Sequence, residues 1–395
     1  MKLKLLFLLF IFNYTYSQNY FLYVAAESDD TVSLLKFDGK NLSESERIVV
    51  GNYPTENEGP HGITVDPNGK YWYLTLAHGN PFGKLIKYST ETNEVVDETT
   101  LGLFPASMQI SSVTGFLYCV NFNLHGDMKP SSVSVVDPET MTEITRIKTG
   151  SMPHGSRITS DGLKQYSVAM MSGELFEIDA LSLEVSRILD LEDHSKMDHS
   201  KMDHSKIEHS NMNDSKMDHS KMGHSKMEHS NMNDSKMDHS KMDHSEMKHS
   251  NVKPTWVIPH PNKNVIYIAG NGSDEIIEVD SDSWKVSKRI KTGKGPYNVE
   301  ISPDGKYMIA TLKSIGSTGI WDLDSGKLLS EVKNSTSVSH GIAISPDSKY
   351  AFISVEGIGG EPGIVDVIDI KSQKLIDNVE IGKQAGGIAF WKMEI

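Results

Sequence analysis

Residues 62–71 read GITVDPNGKY, and residues 299–307 read VEISPDGKY. Both segments alternate apolar and polar residues, pass through a Pro-Asn-Gly or Pro-Asp-Gly step, and end on a tyrosine that opens a new apolar run. Proline presets φ at one corner of such a turn and glycine supplies a positive φ, while the flanking alternation is typical of strands. The two segments therefore predict β-hairpins, and related segments recur along most of the chain.

The recurring unit has a period of about 42–48 residues, which indicates a propeller or a stacked array. Seven residues open the units: Pro60, Pro105, Pro153, Pro254, Pro296, Ser339 and Ala385. Thirteen positions later the first six units carry an aromatic or aliphatic residue: Tyr73, Tyr118, Tyr166, Tyr267, Ile309 and Phe352. The last unit is cut short near Phe390, and the segment from Tyr20 begins in the middle of a unit.

These two incomplete units complement each other. We expect the C-terminal strand to form the innermost strand of the blade whose other strands come from residues 20–50, because such closure removes free sheet edges. The sequence thus predicts an all-β fold, a seven-bladed β-propeller of four-stranded blades. Residues 18–192 would form blades one to four, and residues 253–395 would form blades five to seven and the closing strand of blade one. Residues 193–252 would be a disordered insertion between blades four and five.

The Ser/Asp-Pro-Asp/Asn-Gly-Lys turns, the segment VID at 367–369 and the segment IKTG at 290–293 resemble the YVTN-repeat propeller family of exported bacterial proteins. The resemblance covers nearly all of the chain outside the N-terminal segment and the insertion. It implies the seven-bladed fold and says little about function, because propellers host many activities.

The insertion repeats the pentapeptide Asp-His-Ser-Lys-Met with small variations, and holds ten of the sixteen histidines and ten of the nineteen methionines. Thioether sulfur favours Cu(I), and imidazole serves Cu(I), Cu(II) and Zn(II). A period of five gathers ligands on no single face of a helix or strand, so we expect a tether that orders locally around metal. The candidate ligands are His194, Met197, His199, Met202, His204, His209, Met212, Met217, His219, Met222, His224, Met227, His229, Met232, Met237, His239, Met242, His244, Met247 and His249.

A solvated linker is the alternative reading, because histidine-rich composition alone does not establish metal binding. The insertion resembles the Met-Asp-His-Ser-type repeats of bacterial copper-resistance proteins, which include periplasmic multicopper oxidases. The resemblance implies that the ion is copper, as Cu(I) or Cu(II), with zinc as the alternative.

A second group of candidate ligands lies in the propeller units. They either begin an innermost strand or follow a second strand, and both places should open on one mouth of the central channel. These residues are His61, His78, His125, His154, Met170 and His340. Glu27 and Glu356, in equivalent loops, would add carboxylates, whereas the structural alternative is that each imidazole only hydrogen-bonds a neighbouring blade. His260 occupies a turn on the opposite face and is interpreted as a surface residue.

Residues 1–17 have a basic start, an apolar run and a polar end, which predicts a secretory signal peptide and a periplasmic or secreted protein. The apolar run is too short to span a bilayer, so we expect no membrane segment after cleavage. Cys119 is the only cysteine and lies in an apolar run, which predicts a buried thiol and excludes an internal disulfide. The net charge of −14 argues against nucleic acid as a partner.

Three functions stay open. The first is a non-catalytic, monomeric copper protein for buffering, resistance or delivery, whose partners are metal ions and another envelope copper protein. The second is an enzyme. Pro-His-Gly resembles the copper-bearing propeller of nitrous oxide reductase, and lactonases offer another precedent. Yet the single cysteine, the lack of a cupredoxin-like domain and the lack of a Ser-His-Asp order favour a non-enzyme. The third is a propeller that only binds a protein partner.

Overall fold

The computed structural model describes residues 18–53, 55–78, 83–126, 128–192 and 249–395. Within them, 28 strands form seven four-stranded antiparallel sheets, each a blade. The innermost strands of successive blades contact one another around a closed ring, which confirms the predicted seven-bladed propeller. No helix in this part of the chain has the length and hydrophobicity needed to cross a bilayer. The predicted signal peptide and nearly all of the pentapeptide repeat lie outside the described residues.

The first three blades use the strands before residue 152 and the last strand of the chain. The first consists of β1 (Asn19–Ala26), β2 (Thr31–Phe37) and β3 (Leu42–Val49), completed by β28 (Ala385–Glu394). The second consists of β4 (Pro60–Val65), β5 (Tyr71–Leu76), β6 (Lys84–Ser89) and β7 (Val95–Thr100). The third consists of β8 (Pro105–Ile110), β9 (Leu117–Asn121), β10 (Pro130–Asp137) and β11 (Thr142–Ser151).

Four further blades follow in the same order from inside to outside. One consists of β12 (Pro153–Ile158), β13 (Lys164–Ala169), β14 (Glu174–Asp179) and β15 (Glu184–Asp190). The next consists of β16 (Pro254–Pro259), β17 (Val265–Gly270), β18 (Glu275–Asp280) and β19 (Lys285–Lys291). The last two consist of β20 (Pro296–Ile301), β21 (Tyr307–Leu312), β22 (Ser317–Asp322) and β23 (Lys327–Lys333), and of β24 (Ser339–Ile344), β25 (Tyr350–Val355), β26 (Gly363–Asp369) and β27 (Lys374–Ile381).

The ring closes through the pairing of the C-terminal strand with the N-terminal one. β28 pairs antiparallel with β1, with Leu22 opposite Phe390 and Tyr23 opposite Ala389. Tyr20 and Phe390 then pack with Phe352 of the neighbouring blade. This confirms the predicted closure, and it leaves the first blade without a free inner edge.

All seven predicted opening residues begin an innermost strand. The residue before each of them has a positive φ: Gly59, Phe104, Met152, Lys253, Gly295, Val338 and Gln384. Each accepts at its carbonyl a hydrogen bond from the residue that follows the second strand: Ala77, Phe122, Met170, Asn271, Lys313, Glu356 and Glu27. The same left-handed turn therefore starts every blade, and it fixes one loop residue per blade at the same end of the channel.

The core lies between the blades and includes the repeated aromatic and aliphatic residues of the units. The six residues thirteen positions after the first six opening residues are all buried. Cys119 is fully buried on β9 as predicted, and burial raises the pKa of its thiol well above the ordinary value. Burial of these strand residues supplies the main driving force for packing one blade on the next.

His260 occupies the predicted turn but is not a surface residue, since only 6% of it is exposed. Its Nδ1 accepts a hydrogen bond from the Asn262 N–H at 3.0 Å, two residues on. In other turns of this type, the Ser302 and Asp66 side chains also accept backbone hydrogen bonds, from the N–H of Tyr307 and of Tyr71, five residues on. Its Nε2–H points to the Gly305 carbonyl of the next blade at 3.2 Å. The ring is larger than serine or aspartate, so it reaches the neighbouring blade and becomes buried there.

The undescribed residues 193–248 lie between β15 and β16, and both flanks are fixed in the propeller. Glu192 Oε1 accepts hydrogen bonds from Ser250 Oγ at 2.7 Å and from the Asn251 N–H at 2.9 Å. The Ser250 N–H donates to the Met171 carbonyl at 2.9 Å, and Val252 lies in a buried cluster of the core. Residues 250–252, which the sequence assigned to the insertion, are thus packed against the blades.

Candidate functional site at the channel mouth

The channel mouth is the end of the ring where the innermost strands begin. Glycine two residues after the opening residue lets neighbouring strands approach closely: a Cβ at Gly62 would lie 1.8 Å from the Ala106 carbonyl oxygen. A Cβ at Gly155 would lie 2.4 Å from the Cα of Trp256. The Pro-His-Gly segments therefore place His61 and His154 on a tightly packed inner ring, and glycine is required there for steric reasons.

A buried carboxylate joins two of the predicted histidines. Glu27 Oε2 lies 2.9 Å from His61 Nδ1, and Glu27 Oε1 lies 2.9 Å from His78 Nε2. Burial would raise the pKa of Glu27, but the charges and hydrogen bonds of His61 and His78 outweigh it and hold that pKa well below its usual value. The hydrogen bond that His78 donates to Glu27 raises the pKa of His78. The carboxylate fixes the tautomer and orientation of both rings, since each must donate its N–H to it.

His154 is held by hydrogen bonds at both ring nitrogens. Its Nδ1 lies 2.7 Å from the Thr255 carbonyl, so this nitrogen carries the proton. Its Nε2 therefore accepts the hydroxyl proton of Tyr297, at 2.8 Å. Burial, with the charge of His61, lowers the pKa of His154 to about 3. His154 is a neutral structural ring here, and neither nitrogen is open to a further ligand.

His340 is buried, with 6% of its surface exposed, and lacks a full set of partners. Its Nδ1 has no hydrogen-bond partner, and its Nε2 lies 3.7 Å from Glu356 Oε1, beyond hydrogen-bond distance. Burial and the charge of Lys313 hold the pKa of His340 well below its ordinary value, so the ring is neutral. An unpaired polar nitrogen in such a place is costly and asks for an explanation.

A cavity of about 40 Å³ lies in the channel, just inside this end, and is lined by His61, His154 and His340 among others. Arg157 and Trp256 also line it; Arg157 stacks on the Trp256 ring at 4.5 Å and pairs with Glu300 through Nε at 3.0 Å. The cavity has room for a few water molecules or an ion but not for a sugar or a nucleotide.

One side of the mouth is charged. Lys313 Nζ lies 2.7 Å from Glu356 Oε1 and 4.1 Å from the centre of the Tyr297 ring. Burial opposes the charge on Lys313, but Tyr297 and Glu356 outweigh it and raise its pKa. Burial raises the pKa of Tyr297, so its hydroxyl keeps its proton at neutral pH. With Glu27 and the two histidines that donate to it, this side carries hydrogen-bonded polar and charged groups.

The opposite side of the mouth is apolar. Phe104 packs edge-on against Phe122 with ring centres 5.7 Å apart, and Met152 and Met170 belong to the same packed cluster. Phe122 also meets the His154 ring at 4.8 Å. The mouth therefore combines an apolar side and a charged side around the histidine-lined cavity.

The structure brings only some of the predicted mouth residues together. His61, His154 and His340 line the cavity, and His78 meets His61 through Glu27. His125 is exposed, 6.0 Å from the Phe104 ring, and Met170 packs in the apolar cluster. Among the described residues there is no group of three or more His, Cys, Asp or Glu side chains placed to hold a metal ion. His249 is exposed, and the other repeat ligands lie outside the described part of the chain.

Tyr297, Lys313, Phe104 and Phe122 complete the mouth and were not predicted as site residues. A signal existed for the first two, because Tyr297 holds the repeat position of His61, and Lys313 that of Glu27 and Glu356. No sequence pattern predicted that Phe104 lies at the mouth. Its φ is positive, which is unusual for a phenylalanine and is not expected from the residue type.

Comparisons with known proteins agree with this fold. The profile of the YNCE-like beta-propeller family matches residues 120–360, more than half of the chain. No protein of curated function matches the sequence.

Several solved structures share the fold at low identity. Hydrazine synthase of Kuenenia stuttgartiensis is 20% identical with a TM-score of 0.57, over 81% of this chain and 79% of that one. A Desulfotomaculum acetoxidans protein of unknown function is 13% identical with a TM-score of 0.63, over 94% and 98%. A candidate 6-phosphogluconolactonase of Bacteroides uniformis is 11% identical with a TM-score of 0.64, over 94% and 99%. Identities this low establish only the shared fold.

Proposed function

The chain belongs to the YNCE-like beta-propeller family, and on that scaffold we propose that it is a copper-binding protein of the cell envelope, which buffers, detoxifies or delivers copper. The observation that carries the proposal is the pentapeptide repeat, which supplies a histidine and a methionine in most of its units. Imidazole and thioether together suit copper in both of its common oxidation states.

The described flanks of the repeat fit an insertion that is anchored at both ends. Glu192 and Ser250 are hydrogen-bonded to each other, and Ser250 is fixed to the loop of Met171 at the channel mouth. The two ends are therefore held together by the propeller, as expected for a segment added to a stable scaffold. The net charge of −14 would also raise the local concentration of cations.

Export is part of the proposal. The N-terminal pattern is that of a signal peptide, and a single buried cysteine is compatible with an oxidising compartment because it offers no partner for disulfide exchange. Zinc is the alternative ion, since histidine binds it as well.

The test is the metal content of the purified full chain after anaerobic loading with Cu(I), and separately with Cu(II) and Zn(II). A variant with the repeat histidines and methionines replaced by serine should lose several copper ions per chain. A control with the repeat serines replaced by alanine should keep them. The absence of bound copper in the natural chain would overturn the proposal and leave the solvated-linker reading.

A further inference from the structure

The pairing of His61 and His340 suggests a site separate from the repeat. Their ring centres lie 6.1 Å apart, and both rings line the same cavity. Two imidazoles that each place a nitrogen about 2 Å from one shared ion have ring centres roughly 6 Å apart when the ion lies between them. The observed spacing of the ring centres matches that distance.

The space between the two imidazoles follows from the order of the blades. The innermost strand β28 lies between β24 and β4, and Gly386 stands on it at the position that His61 and His340 occupy on theirs. A Cβ at Gly386 would lie 3.9 Å from His340 Cε1. This blade therefore places no side chain at the position that carries an imidazole on each of the two flanking blades, and the two rings meet edge to face.

His61 already has the supporting contact that metal-binding histidines show. Such a histidine almost always donates its other ring N–H to a carboxylate or a carbonyl, which fixes the ring and makes the ligating nitrogen more basic. His61 Nδ1–H donates to the buried Glu27, so its Nε2 is the nitrogen left for an ion. His340 contributes a buried ring whose Nδ1 has no partner.

We infer that the propeller holds a single Cu(I) ion between His61 and His340, with Glu27 as the positioning residue that orients His61. This inference rests on the proposed function for the choice of copper. Two neutral nitrogen ligands satisfy Cu(I), a soft monovalent ion that accepts low coordination, whereas closed zinc sites take four ligands. The lack of a larger ligand group in the described residues therefore favours Cu(I) over zinc at this position.

The experiment uses the full-length chain with the repeat histidines and methionines replaced by serine, so that only the propeller can bind. Loaded anaerobically with Cu(I) and dialysed, it should retain about one copper per chain. His61→Gln and His340→Gln should each abolish binding, and X-ray absorption should show nitrogen neighbours at about 2 Å with no sulfur. His260→Gln, a change at a propeller histidine near the opposite end of the channel, should leave the copper content unchanged.

A further variant leaves both ligands in place. Gly386→Val adds a side chain against the His340 ring, where a Cβ would lie 3.9 Å from Cε1, and it meets no clash and no positive φ, so the fold should persist while copper is lost. Thermal unfolding of each variant identifies any that fail to fold. If His61→Gln, His340→Gln and Gly386→Val all fold and keep their copper, the inference is overturned.

The outcomes separate this site from the repeat. No copper in the repeat-silenced chain, with several ions in the natural chain, overturns the propeller site and leaves the proposed function standing. One ion in both chains, lost with His61→Gln, supports the propeller site and overturns the role of the repeat. No copper in either chain overturns both.

Discussion

The charged and the apolar sides of the mouth are built on one backbone. Glu27, Lys313 and Glu356 on the first side, and Phe122 and Met170 on the second, make the same hydrogen bond to the residue before an opening residue. The backbone cannot cause the difference, because it is repeated in all seven blades. The comparison shows that the fold fixes the position of each loop side chain. The chemistry of the mouth then comes from the different residue types that the repeats carry at that position.

The largest effect is expected on the apolar side. Phe122→Ala should lower the free energy of unfolding by about 4 kcal/mol, because it removes a buried ring that packs on Phe104 and His154. Leu124→Ala, a nearby change at an exposed residue, should cost less than about 0.5 kcal/mol. Urea unfolding followed by fluorescence measures both. Equal losses would mean that the apolar side is not part of the core.

The stability of the charged side should depend on the Glu27 carboxylate. Glu27→Ala should cost about 3 kcal/mol, because it leaves the N–H groups of His61 and His78 without their acceptor near the protein interior. Glu98→Ala removes an exposed partner of Lys84 and should cost less than about 1 kcal/mol. The same unfolding assay compares them, and a loss at Glu27 no larger than that at Glu98 would contradict the buried-network account.

A fall in pH should lower the free energy of unfolding, because His154 is neutral in the folded chain. Its pKa in the fold is about 3 against an ordinary 6.5, so between these values the unfolded chain binds more protons than the folded one. His154 therefore contributes a loss of up to about 1.4 kcal/mol for each unit that the pH falls within that window. His154→Gln, which cannot titrate, should show a shallower fall between pH 6 and pH 4. Parallel curves would rule out His154 as the cause.

Glu27 also makes the folded chain less stable as the pH falls, but over a lower range of pH than His154. Its folded pKa lies below the ordinary 4.5, so its stabilising effect is present above pH 4.5 and is lost as the pH falls towards the folded value. Glu27→Gln should be less stable than the natural chain at pH 7, and the difference should shrink below pH 4. A difference that stays constant to pH 3 would contradict this assignment.

The smallest expected effect concerns the shared left-handed turn. Val338 holds φ at 70°, which is strained for a β-branched residue, and Val338→Gly should raise the free energy of unfolding by about 0.5 kcal/mol after the entropy cost of glycine. Gly59→Ala at the equivalent turn should destabilise, because its Cβ would lie 2.7 Å from His78 Cδ2. Thermal unfolding measures both. Opposite signs would confirm that the turn is a common element with a fixed backbone requirement.

Much of the architecture could be predicted because the turns and strand starts of each blade depend on a few consecutive residues. Pro67-Asn68-Gly69 marks a turn, and Gly69 has the positive φ that this turn requires. The opening prolines begin strands in which the missing N–H is tolerated, as at Pro60 and Pro254. These are local properties of a few consecutive residues.

The mouth was predictable only in part, because its contacts join distant blades. The partnership of Glu27 with His61 and the hydrogen bond from Tyr297 to His154 link residues 34 and 143 positions apart. His154 was expected as a candidate ligand, yet both of its nitrogens are used within the protein. The repeat pattern of the sequence does not show which ring nitrogens lack a hydrogen-bond partner.

The sequence by itself determined the number of blades, the start of each innermost strand and the composition of the pentapeptide repeat, because all three depend on local residue patterns. Only the tertiary structure decided that Glu27 serves two histidines, that His260 is buried and that His61 and His340 stand 6.1 Å apart across Gly386. The physical reason is ring closure: packing the blades in a circle sets the distances between residues of different blades, which lie far apart along the chain.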